Sequence, residues 1–234
     1  STNNLDYEEI MTAFNPQIVK LYAAKDTEQL LALIYRSSKF SYYLLFIISF
    51  PILLFCKEIL SIWLVNVPDY AVVFTQLVII ASFTEALSAP LWTAIGATGK
   101  VQKYQILVSL IVFLDVPLVY VAFKLGMHPT TAFVITLIIG VLAYLYRLFY
   151  IRKFVPYHIS QYIKKVVLPC CVVTVLSIPV PYILYGYGTS TINTILLAIG
   201  TTAISTVITL FIGLDKSEKK FVKSIFNKML KKIS

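Results

Sequence analysis

The chain has 234 residues, 59% of them hydrophobic and only 13% charged, with a mean hydropathy of +0.83. So few charges cannot cover the surface of a soluble domain this size, which excludes an ordinary globular protein and leaves a chain that meets lipid. The net charge of +9 does not point to nucleic acid, because the basic residues sit in short loops and at the C-terminus rather than in a stripe with exposed aromatics.

Residues 1–9, STNNLDYEE, are polar and acidic, carry no signal-peptide pattern, and read as the edge of a fragment of a longer protein. Ile10 to Ala24 is apolar but too short to span, and Asn15-Pro16 interrupts it. It reads as the remnant of a helix, with Asn15 either lining a path or satisfying backbone groups freed at the break. Lys25 to Lys39 is a polar, helical loop.

Six apolar runs follow, predicted as spans over 40–56, 70–97, 104–123, 130–151, 166–184 and 192–214. Between the first two, ILSIWLV places Ile59, Leu60, Trp63 and Leu64 on one helical face suited to a lipid–water boundary. Glu85 lies near the middle of the second span. The third, YQILVSLIVFLDVPLVYVAF, would rise about 30 Å as a helix, the thickness of a hydrocarbon core. It carries Asp115 near its centre and Pro117 two residues on, and Lys103 and Lys124 flank it. The fourth ends in Tyr144, Tyr146, Arg147 and Tyr150; the fifth is interrupted by Pro169, Pro179 and Pro181. The fold class is therefore an all-α polytopic membrane protein, with residues 1–214 as one transmembrane lobe. Residues 215–234 form a basic amphipathic tail, in which Phe221, Val222, Ile225, Phe226, Met229, Leu230 and Ile233 alternate with lysines.

If the spans alternate, eighteen of the twenty lysines and arginines fall on one side, against Lys57 and Lys124 on the other. The positive-inside rule then places the C-terminus in the cytoplasm.

Few residues carry chemistry. GATGK (Gly96 to Lys100) lacks the spacing of a phosphate-binding loop and has Val101 where a hydroxyl would be needed. His128 and His158 lie in different loops, and Cys56, Cys170 and Cys171 lack metal-ligand spacing; no metal or cofactor is expected. Glu85 and Asp115 are stronger candidates: mid-span carboxylates on consecutive helices, placed to approach each other across an antiparallel pair. They read either as a site in a translocation path or as carboxyls hydrogen-bonded between helices.

Three stretches carry a resemblance: MTAFNPQIVKLYAAKD (Met11 to Asp26), ILSIWLVNVPDY (Ile59 to Tyr70) and PLWTAIGATGKVQKYQ (Pro90 to Gln105). Together they resemble bacterial polysaccharide flippases of the multidrug/oligosaccharidyl-lipid/polysaccharide exporter superfamily, over the C-terminal half of a family member. The resemblance implies the second of two lobes, a missing N-terminal lobe as partner, and residence in the bacterial inner membrane. It implies a non-enzymatic protein that carries undecaprenyl-pyrophosphate-linked oligosaccharide for O-antigen or capsule, its pyrophosphate passing through a cationic cavity. Lys39, Lys103 and Arg147 are then the available phosphate contacts at the inner mouth, and the tail meets anionic inner-leaflet lipids. A cation-coupled multidrug exporter, a membrane-embedded sugar or acyl transferase using Asp115 as base, and a non-transporting scaffold are the alternatives.

Overall fold

A computed structural model describes residues 16–64, 66–180, 191–220 and 222–223, and among these it contains helices and no strands. Among the described residues six helices are long and apolar enough to cross a membrane, which makes the chain a multi-pass membrane protein. Helix α1 covers residues 16–23. It is followed by α2 (Thr27–Leu54), the short α3 (Cys56–Trp63), α4 (Ala71–Ala97), α5 (Val101–Lys124), α6 (Thr130–Lys153), α7 (Ile159–Ser177) and α8 (Asn193–Gly213). Asn15, most of the tail, and the predicted end of the fifth span lie outside the described residues.

The first span begins earlier than its apolar run. Asp26 accepts the Gln29 N–H at 3.1 Å, an N-cap that starts the helix at Thr27. Leu30 and Ile34 then bury one face of the segment that reads as a loop, so it continues the span without a break. Prolines account for two irregularities. The break in α5 falls at Leu114, where Pro117 denies a hydrogen bond to the preceding turn. In α7 a π-helical turn at Ile163–Val167 absorbs Pro169.

One end of the bundle is tightly packed. The start of α2, the end of α4, the start of α5, the end of α6 and the start of α7 contribute to one core, including Leu30, Ile34, Leu91, Ile95, Tyr104, Tyr144, Leu148 and Tyr162. That cluster could form only if successive spans alternate in direction, and it lies at the end richest in lysine and arginine, called the basic end below. Tyr157, in the α6–α7 connection, donates to the Leu148 carbonyl at 2.5 Å; burial pushes its hydroxyl up, so it stays protonated. A second core of Tyr42, Tyr43, Phe46, Phe50, Cys170 and Val173 joins α2 to α7.

Helix order in space differs from order in sequence. Helix α4 packs on α2 and on α6, and α6 packs in turn on α5, so the fourth span stands between the second and third.

Candidate functional site

The packing order separates Glu85 from Asp115. Helices α4 and α5 are consecutive in sequence but do not form a packed pair, because α6 takes the intervening place. Each carboxylate instead engages α6. Arg147 of α6 donates from Nη1 to Glu85 Oε1 at 3.0 Å and to Ser88 Oγ, and from Nε to the Tyr104 hydroxyl at 2.7 Å. Toward the opposite end, Thr136 donates to Asp115 Oδ1 at 3.0 Å. Thr136 and Arg147 are eleven residues apart, about 16 Å along the axis and on nearly the same helical face.

The Arg147 cluster draws on three helices. Glu85 and Ser88 are three residues apart on α4, so they share a face and present two acceptors to one guanidinium. Tyr104 opens α5 and is fully buried, while the Arg147 side chain is 13% exposed. Its planar fork satisfies carboxylate, serine and phenol together, which an ammonium on a flexible stem would not do. Tyr162 of α7 donates to the Leu87 carbonyl at 3.1 Å and so holds the α4 backbone beside Ser88. Glu85, by contrast, is 68% exposed. It lies fourteen residues into α4, about 21 Å from that helix's start and close to its middle.

Between the two carboxylates α6 is open. Thr136 and Gly140 are exposed, and a Cβ placed on Gly140 meets nothing within 4 Å. The exposed face of α6 between α4 and α5, called the groove below, thus has Glu85 and Arg147 toward the basic end and Asp115 and Thr136 toward the other. Among the described residues Asp115 is in no ion pair.

The other predicted residues lie elsewhere. Lys39 is 2% exposed, with its ammonium 2.7 Å from Glu218 Oε2 and 3.6 Å from Asp215 Oδ2, so it faces carboxylates and not an aqueous mouth. Glu218 also accepts the Asp215 N–H at 2.8 Å, a capping-box bond that starts the helix after α8. The Asp215-x-x-Glu218 spacing was the signal that could have disclosed it. Lys103 is exposed at the start of α5. Nothing in the sequence singles out Tyr104 or Thr136 as partners; Ser88, one turn from Glu85, has a spacing that flags it.

A cavity of about 440 Å³ near the α1–α2 turn, lined by Leu21, Tyr22, Lys25, Leu30, Phe154 and Val155 among others, shares no residue with the groove. Among the described residues no three His, Cys, Asp or Glu side chains gather as a metal-binding group. The groove offers an ion pair, hydroxyls and a carboxylate that is in no ion pair among the described residues. Comparison with family models, with curated proteins and with solved structures finds no match to this chain.

Proposed function

We propose that the chain is one lobe of a polysaccharide flippase, translocating undecaprenyl-pyrophosphate-linked oligosaccharide across the bacterial inner membrane by alternating access. The observation that carries this reading is the exposure of Glu85 at mid-depth. A carboxylate turned to lipid there costs about 2.5–3.5 kcal/mol on insertion scales, and partnering with Arg147 leaves most of its surface uncovered. The cost disappears if the α4–α6 groove faces a watery cavity shared with a second lobe. Rocking of two lobes around such a midplane site is the logic of repeat-built transporters. Arg147 is the phosphate contact in this reading, exchanging Glu85 for a pyrophosphate oxygen. The excess of basic residues at one end supports a cytoplasmic C-terminus.

The test is accessibility. With Cys56, Cys170 and Cys171 replaced by serine, Glu85→Cys and Gly140→Cys are labelled in native membranes by a membrane-impermeant thiol reagent. Rapid labelling of both, slowed by lipid-linked oligosaccharide, is expected; protection of both sinks the cavity reading.

Asp115 favours a second reading, cation-coupled export, because it is a partly buried carboxylate with a neutral hydroxyl donor and no ion-pair partner among the described residues. Proton- or sodium-driven efflux abolished by Asp115→Asn would select it.

A further inference from the structure

A basic corner lies at the end of α4, the start of α5 and the end of α6, beside the Arg147 cluster, with which it shares Tyr104. The turn between α4 and α5 is fixed by Gly99 at φ +68° and by the Lys100 N–H, which donates to Thr98 Oγ1 at 3.1 Å. From α6, Tyr150 donates its hydroxyl to the Lys100 carbonyl at 3.4 Å. The Lys153 ammonium stands 5.3 Å from the centre of the same Tyr150 ring. Lys103 directly precedes Tyr104, whose ring lies 5.3 Å from Tyr150. Lys153 thus stands over Tyr150, while Lys100 and Lys103 belong to the turn and the helix start that pack on the same ring. All three lysines are exposed, and none is in an ion pair among the described residues.

One helical turn toward the membrane the surface changes character. Leu107, four residues after Lys103, is 45% exposed, and Phe149, four residues before Lys153, is 58% exposed. Lysines at the helix ends, followed one turn on by exposed apolar side chains over the buried Tyr104 and Tyr150, match a phospholipid from phosphate to acyl chain. Clustered like charges repel, and a phosphate among them removes that repulsion.

We propose that this corner binds the phosphate of an anionic phospholipid, with an acyl chain along Leu107 and Phe149. The inference is independent of the flippase reading, since it needs only that α5 and α6 cross a membrane.

The experiment uses the full chain in phosphatidylcholine vesicles doped with phosphatidylglycerol that carries a photoactivatable acyl chain, with crosslinks mapped by peptide mass spectrometry. Crosslinks to the peptides holding Leu107 and Phe149 are expected. The triple variant K100Q/K103Q/K153Q should weaken that labelling on the order of a hundredfold, at about fivefold per lysine. K164Q/K165Q, which removes exposed lysines on α7, should leave it unchanged, and so should a phosphatidylcholine probe in the triple variant. K153Q alone, expected to weaken labelling about fivefold, serves if the triple variant fails to fold. Undiminished labelling in the lysine variants, or crosslinks confined to other helices, would overturn the proposal. Displacement of the lipid by inorganic pyrophosphate at matched ionic strength would overturn it too, by naming free phosphate as the ligand.

Discussion

Lys39→Met isolates the clasp between α2 and the segment after α8. Methionine keeps much of the apolar stem and removes only the ammonium, which leaves Glu218, 8% exposed, with the Asp215 N–H as its remaining partner. Removing one member of a buried pair costs about 3–5 kcal/mol. The retained backbone bond places the expected loss at the lower limit, about 3 kcal/mol. Asp215 adds little, because at 3.6 Å and 78% exposed it belongs with surface pairs worth about 0–1 kcal/mol. In Lys39→Met/Glu218→Gln no charge is buried, and the introduced amide oxygen still accepts the Asp215 N–H. That double variant should lie within about 1 kcal/mol of the wild type. Unfolding in mixed micelles by increasing dodecyl sulfate, followed by far-ultraviolet circular dichroism, gives all four corners of the cycle. A loss below about 1 kcal/mol in the single variant refutes the buried pair. So does a double variant that merely sums the two singles.

Three further outcomes follow from the same contacts. Arg147→Met strands the buried Tyr104 hydroxyl and should cost about 1–3 kcal/mol in the same assay; adding Tyr104→Phe should recover part of it, while Arg147→Lys should recover little because the fork is gone. Gly213→Ala would put a Cβ 2.8 Å from the buried Tyr43 ring end, whose hydroxyl also donates to the Gly213 carbonyl, so a loss of about 1–3 kcal/mol is expected, smaller in a Tyr43→Phe background. Lys25, at φ +57°, ends α1 with the Asp26 N–H donating to the Leu21 carbonyl at 3.1 Å; Lys25→Gly should stabilise by up to about 1 kcal/mol, and a loss would show that the lysine side chain matters more than its backbone.

Hydropathy made the spans legible because lipid imposes a length and a composition on any helix that crosses it, whatever that helix packs against. Among the described residues each of the six apolar runs falls on a helix long enough to span. Their ends were less legible, since caps and one-sided burial operate where hydropathy is silent. Asp26 and Leu30 extend α2 through a stretch with five charged residues between Lys25 and Lys39. The prolines were visible, but the π-helical turn before Pro169 was not, because whether a helix kinks or widens depends on its neighbours.

The site was half legible for a different reason. Mid-span carboxylates announce themselves by cost, so Glu85 and Asp115 could be found from hydropathy alone. Their partners could not, because pairing depends on which helices touch, and adjacency in sequence was a poor guide once α6 packed between α4 and α5. Arg147 has the usual position of a snorkelling anchor near a helix end. What turns it inward is the coincidence of Ser88 on one neighbour and Tyr104 on the other, and neither residue type is rare enough to signal that alone. The same packing sorts the two carboxylates by chemistry. Glu85 is paired with a guanidinium, whereas Asp115 accepts from a hydroxyl and, among the described residues, meets no cation. One helix therefore holds both carboxylates, about 16 Å apart along α6, so any shift of α6 against α4 and α5 would disturb the two contacts together.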